Sequence, residues 1–247
     1  MTSKTYSDGS TIWYDENEKM TSIIYSNGTK MWYNTNREIH RDNDLHAVEY
    51  KNGDKEWWIK GERHRNNYLP AIDYVNGDKY WYVNNKLHRD NGLPAVELAN
   101  GDKYWYVNNE RNRENKLPAI EYADGTKYWY VNGIHHRDND LPAIEYANGS
   151  KEWYINGSLH RLGGLPATEY SSGNKSWYIY GNKYTYEQVC NYYKILTRFG
   201  RCCLKKIRMR KLRKVRFIHG ELLCMPSKGN FQGGQDYHQM VSYFMSM

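Results

Sequence analysis

Tryptophan recurs every 24 residues through the middle of this chain, at Trp57, Trp81, Trp105, Trp129, Trp153 and Trp177. Trp32 stands one residue out of register before them, and Trp13 heads a truncated forerunner. A fixed period in this range marks an array in which each unit buries its apolar face only by stacking on its neighbours. The Trp series is therefore read as the structural core of the repeats. Such an architecture makes an extended surface more readily than a catalytic pocket.

One unit runs Leu93-Pro-Ala-Val-Glu-Leu-Ala-Asn-Gly-Asp-Lys-Tyr-Trp-Tyr-Val-Asn108, and the following unit restates it from Leu117 to Asn132. Two short β-branched and aromatic runs flank Asn-Gly or Asp-Gly, which predicts one β-hairpin per unit closed by a type I′ turn. A second turn, Asn132-Gly133 or Asn156-Gly157, leads into His-Arg and back to the next Leu-Pro. Strand alternation puts Trp105 and Val107 on one face, Tyr104 and Tyr106 on the other. The tyrosine face is expected to be wet or to contact a ligand. Prolines 70, 94, 118, 142 and 166 fall at the first strand's entrance, where a missing N–H does least harm. Two charged series, Glu49, Asp73, Glu97, Glu121, Glu145, Glu169 and Arg41, Arg65, Arg89, Arg113, Arg137, Arg161, are tolerable as stacked ladders only if they neutralise one another. With two strands per unit spaced by about 4.8 Å, seven or so units would span on the order of 70 Å.

The run Tyr128-Trp-Tyr-Val-Asn-Gly133-Ile-His-His-Arg137 resembles the MORN repeat, and more closely the divergent Trp-Tyr-Val-Asn-Gly, His-Arg, Leu-Pro-Ala variety common in large DNA viruses of amoebae. The resemblance covers residues 5 to 182. It implies a scaffold of stacked hairpins, with protein partners, homodimerisation and phospholipid binding as the family's uses. The glycines that follow the family's turn are largely Arg here (Arg89, Arg137), and the second-turn glycine is Asn85 and Asn109 in two units.

The His series, His40, His64, His88, His136 and His160, imitates a metal ladder or a row of general bases. A catalytic site is a unique convergence of different groups, whereas a residue restated in every unit is more simply a packing or hydrogen-bonding fixture. Asn112 replaces it in one unit, and His46 and His135 lie outside the series. No nucleophile elbow, zincin helix, P-loop or kinase motif is present. The expectation is a non-enzymatic protein with no catalytic residues, metal or cofactor, the alternative being an enzyme whose unrecognised site lies between array and tail.

Composition changes abruptly near residue 182. All nine Trp lie before that point, and Cys190, Cys202, Cys203 and Cys224 after it. Residues 183–247 carry 13 Lys+Arg against 3 Asp+Glu, which leaves 22 against 25 for residues 1–182. Such asymmetry points the tail at an anionic partner. Thr185-Tyr-Glu-Gln188 fits a helical capping box, and Val189, Tyr192, Leu196, Phe199, Cys203 and Ile207 follow at helical spacing. The front of that helix is expected to cap the array. The candidate anionic-surface residues are Arg198, Arg201, Lys205, Lys206, Arg208, Arg210, Lys211, Arg213, Lys214 and Arg216. Membrane phospholipid and nucleic acid or a nuclear import receptor are the alternatives for them, alongside a merely solvated helix end. Residues 226–235 read as a loop, and 237–247 as a short amphipathic element or disorder.

The start of the chain has no apolar secretory segment and no run is long enough to span a bilayer. The cysteines fit neither a disulfide framework nor a zinc spacing. These features suggest an intracellular protein, cytoplasmic or membrane-associated, or nuclear. The expected fold is mainly β: an elongated, solenoid-like single sheet of stacked 24-residue β-hairpins over residues 1–182, and a basic α-helical cap within 183–247.

Overall fold

A computed structural model describes residues 1–194 and the two strands Arg216–Ile218 and Glu221–Leu223. The chain divides into two compact units, Met1–Tyr186 and Glu187–Met247. The first is mainly β, with a long open antiparallel sheet of 17 strands. It opens as a plain meander of Thr2–Thr5, Thr11–Tyr14, Met20–Ile24 and Lys30–Trp32, each paired with the next. Beyond these, the 24-residue units contribute two short strands each, such as Val96–Glu97 with Lys103–Tyr104 and Ile120–Glu121 with Lys127–Tyr128. The second strand of one unit pairs with the first of the next, Lys103 opposite Glu121 and Tyr104 opposite Ile120.

The sheet turns are not type I′. Tyr122 N–H donates to Thr126 O and Gly125 N–H to Tyr122 O, at 2.9 and 3.0 Å, leaving a three-residue loop in which Gly125 alone has positive φ, at 94°. This is a type I turn closed by a left-handed glycine, so one Gly suffices. The loops are tied together by the residue after that glycine: Asp78 Oδ1 accepts the Ala99 N–H at 2.7 Å, and Asp102 Oδ1 the Ala123 N–H at 2.8 Å.

A second departure lies at the tryptophan. There the chain leaves the sheet and forms another hairpin, Tyr130–Val131 against Ile134–His135, with equivalents in the other units such as Tyr106–Val107 against Glu110–Arg111. Each unit thus holds two hairpins rather than one. The type I′ turns belong to this second set, because both Asn132 and Gly133, or Asn84 and Asn85, have positive φ. Asn tolerates the left-handed region well enough to replace Gly there. The ribbons chain onward through bonds such as Gly133 N–H to Arg111 O and Gly157 N–H to His135 O.

The excursion also breaks simple alternation. Tyr104 shares its sheet face with Val96 and Ile120, not with the charged Lys103. Trp105, Ala119, Ile120 and Tyr130 form a buried cluster with Tyr104, Tyr122 and Tyr128 packed against it. The alanine of each Pro-Ala pair is wholly buried, as Ala71, Ala95, Ala119, Ala143 and Ala167 show. The opposite face carries Lys and Glu.

Trp57, Trp81, Trp105, Trp129 and Trp153 are all buried, but Trp177 is only half-buried. In five units an Arg lies over the Trp, whereas Thr185 occupies that position for Trp177, and the Tyr186 ring packs there at 5.3 Å. A helix occupies residues 186–194, which places Thr185 at the N-cap position. Within the second unit Val189 and Tyr192 are buried. Leu196, Phe199, Cys203 and Ile207 lie outside the described residues. Arg216 starts a strand paired with Glu221–Leu223, so the helical reading fails at that residue.

Candidate functional site

The face along the tryptophans is built from one module repeated. The Trp129 ring lies under the Arg137 guanidinium at 3.7 Å, and its Nε1–H donates to Lys116 O at 3.0 Å. The acceptor carbonyl is presented by a left-handed pair, Asn115 and Lys116. Arg137 Nη1 then bridges the Pro142 carbonyl at 3.1 Å and Glu145 Oε1 at 2.7 Å. Arg89 with Glu97 and Arg113 with Glu121 repeat this pair at 2.7 Å, and Arg161 with Glu169 at 3.2 Å. The expected mutual neutralisation of the Glu and Arg series holds for these units. It does not hold for Arg65, which pairs with Asp44 at 2.9 Å instead of Asp73. Stacking on the indole, a carbonyl contact and a carboxylate all act on one guanidinium, which is the combination that favours Arg over Lys.

The histidines join successive units. Asn156 N–H donates to His136 Nδ1 at 3.3 Å, which puts the imidazole proton on Nε2, 3.1 Å from Asp138 Oδ1. Asn84 with His64, and Lys60 with His40, repeat the first contact. These are hydrogen-bonding fixtures. His160 is different: it is 1% exposed and stacked on Tyr180 at 4.4 Å, and burial pushes its pKa down. Between the return loops of successive units lie clefts of about 240 and 530 Å³; His64 and Arg65 line both. Among the described residues no group of three His, Cys, Asp or Glu is placed to hold a metal ion.

Two histidines outside the series carry more structure than their isolation in sequence suggested. His46 meets Trp32 and Trp57 edge-on at 5.7 and 5.9 Å and contacts Glu49 at 3.1 Å. His135 sits between Tyr130 and Tyr154, with ring centroids at 4.2 and 5.1 Å, and its Nε2 lies 2.9 Å from the Tyr130 hydroxyl. Its position after an Asn-Gly turn, where Arg111 stands one unit earlier, was the signal available.

The tyrosine side forms a band of edge contacts, Tyr104 to Tyr122 at 5.9 Å, Tyr122 to Tyr128 at 5.4 Å and Tyr128 to Tyr146 at 6.3 Å. Two carboxylates interrupt it where other units place Tyr. Glu56 is 4% exposed and accepts from the Tyr50 hydroxyl, Trp58 Nε1 and Arg63 Nε at 3.0, 2.8 and 3.1 Å. Burial first, and the Glu56 charge second, push the Tyr50 hydroxyl up to about 12. Glu152 accepts the Tyr154 hydroxyl at 3.0 Å. With their hydrogen bonds made internally, both act as ties within the band.

Of the predicted anionic-surface residues, Arg198, Arg201, Lys205, Lys206, Arg208, Arg210, Lys211, Arg213 and Lys214 lie outside the described residues, and Arg216 is placed only as backbone. Among the described residues no helix is long and apolar enough to cross a membrane. No family model matches the chain, and no curated protein matches it.

Proposed function

We propose that the protein is a non-enzymatic interaction scaffold of MORN type, whose repeat surface receives protein partners while the basic tail meets an anionic phospholipid surface. The observation that supports this most is the restatement of one Trp-Arg-Glu module in successive units, at nearly constant distances. Catalysis requires different groups to converge once, whereas a partner spread along several units gains from identical contacts repeated at a fixed pitch. The tail adds ten basic residues between Arg198 and Arg216, and attraction to an anionic leaflet amounts to about 1 kcal/mol for each basic residue near the surface.

The test compares the full chain with a variant in which Lys205, Lys206, Arg208, Arg210, Lys211 and Arg213 are all Gln. The full chain is expected to bind phosphatidylserine vesicles, less as salt rises, and the variant to lose that binding with its melting temperature little changed. Binding to duplex DNA but not to vesicles would select a nucleic-acid role instead. Binding to neither would leave the basic run as charge that serves no anionic partner.

A further inference from the structure

The charged face of the sheet has its own order. Cross-strand pairing places Lys79 opposite Glu97, Glu97 opposite Lys103, Lys103 opposite Glu121, and so on without a break to Lys175. In the units from Glu97 to Glu169 the carboxylate of this row is already engaged by the Arg that lies on the tryptophan. The lysines are not: Lys55, Lys79, Lys103, Lys127, Lys151 and Lys175 are all exposed, and none forms an ion pair among the described residues. Each unit from Glu97 to Glu169 therefore leaves one cation on a line, although residues 1–182 as a whole carry more acid than base. The acidic surplus sits in turns, as at Asp78, Asp90, Asp124 and Asp138.

Successive lysines are two strands apart, which sets them about 9.6 Å from one another. That spacing selects among extended ligands. A polyproline II helix has three residues per turn and rises about 3.1 Å per residue, so every third side chain returns to the same side after about 9.3 Å. A β-strand puts residues three apart on opposite sides, and an α-helix returns side chains to one face after three or four residues, about 4.5 to 6 Å, and next after seven, about 10.5 Å, so neither repeats at this step. The mismatch of about 0.3 Å per step with polyproline II is within reach of a lysine's flexible stem. Ordinary sheet twist turns the row gradually, so the useful contact is three or four lysines, a ligand of about 10 to 13 residues.

We infer that this lysine row is a docking site for an acidic segment of a partner protein held as a polyproline II helix, with a carboxylate at every third position. The inference rests on the scaffold reading and names the face and the partner chemistry that reading leaves open. The Arg residues contribute by neutralising the interleaved Glu, so that the ligand's carboxylates meet lysine without an opposing free charge.

The decisive experiment titrates the full chain with two synthetic peptides of equal composition, one with Glu-Pro-Pro repeated four times and one with its four glutamates contiguous. The spaced peptide is expected to bind at least tenfold more tightly, and the combined change of Lys79, Lys103, Lys127 and Lys151 to Gln to abolish that preference. The same four positions changed to Arg should retain it, which separates lost charge from lost folding. Equal affinity for both peptides would overturn the inference in favour of unspecific attraction, as would a preference that disappears with the six tail substitutions but survives the row substitutions. Heparin bound through the row with no peptide preference would also overturn it and assign the face to polysaccharide. A protein partner that needs residues 1–182 yet binds the Gln row variant normally would sink this inference and leave the scaffold reading standing.

Discussion

The meander of residues 1–34 and the units that follow use the same sheet turn, yet only the units acquire a core. Before residue 35 the sole buried residue is Ser10, and Trp13 is 36% exposed. In the unit around Trp129, by contrast, Ala119 and Ile120 are at most 3% exposed and Trp129 and Tyr130 at most 8%. Both regions close their sheet hairpins with a left-handed fourth residue: Gly9, Glu18 and Gly28 in the first, Gly101, Gly125 and Gly149 in the second. What the meander lacks ahead of Trp32, where the Tyr33–Ile39 bridge makes the first excursion, is the second hairpin that leaves the sheet at each later tryptophan. Burial in this fold therefore comes from the added ribbon, since a single sheet cannot cover its own face.

The sharpest break of that comparison is a deletion. Removing the 24 residues from Leu117 to Asp140 takes out one sheet hairpin together with its ribbon, and Lys103–Tyr104 can then pair with Ile144–Glu145 as it did with Ile120–Glu121. Such a protein should fold with nearest-neighbour stability kept. Removing only 12 residues from the same point should abolish cooperative unfolding, because a strand is left without its ribbon. A cooperative melt for the 12-residue deletion would show that the double hairpin is not the structural unit.

Next in size is the tryptophan itself. Trp129→Ala removes a buried ring, the Arg137 stack and the Nε1 bond to Lys116, and should cost about 3–5 kcal/mol in denaturant unfolding. Trp13→Ala, in the meander, should cost less than about 1 kcal/mol. Comparable losses at the two sites would mean that the meander is buried in some assembly of the protein.

These two regions also show what could be read in advance. The 24-residue period carried the array, the buried tryptophans and the Glu-Arg pairs, because each depends on which residues recur and how far apart. The ribbon was not legible. Tyr104-Trp105-Tyr106-Val107 looks like one continuous strand, and only the hydrogen bond from Trp105 N–H to Ala119 O, with pairing resumed elsewhere at Tyr106, shows the chain changing layer. The turn types were exchanged for a related reason. Asn-Gly satisfies a type I′ turn and equally a three-residue loop, and strand register decides between them. The lysines recur at the same 24-residue step, but that they stay unpaired depends on which cation takes each Glu, and only the structure shows Arg doing so.

A smaller effect separates the two regions at the turn. Gly125 has φ 94°, and a Cβ there would meet no atom within 4 Å, so Gly125→Val should lose about 1–3 kcal/mol from backbone strain alone. Glu18 already holds the equivalent position at φ 60°, and Glu18→Gly should raise stability by less than about 1 kcal/mol. Lys127→Gln, on the exposed strand surface, should leave the melting temperature unchanged. A Gly125→Val protein that melts with the parent would place the strain elsewhere.

The smallest effect concerns pH and belongs to the units alone, since the first histidine of the chain is His40. His160 and His135 both have pKa values below the ordinary histidine value of 6.5, each through burial first; the Tyr178 carbonyl partly offsets this for His160, and Arg111 adds to it for His135. A histidine with a depressed folded-state pKa binds fewer protons folded than unfolded just below the unfolded value, so stability is complete above about pH 6.5 and falls as pH drops below it. Glu49, whose pKa is lowered by His46 and Lys30, acts in the same direction only below the ordinary carboxylate value of 4.5. Denaturant midpoints measured between about pH 6.5 and 5 thus isolate the histidines. Replacing His160 by Asn, the residue that Asn112 supplies at the matching place two units earlier, should flatten that dependence while costing little at pH 7. An unchanged slope in His160→Asn would mean that His160 takes up its proton in the folded state as readily as in the unfolded chain, with the Tyr180 stack opening to admit it.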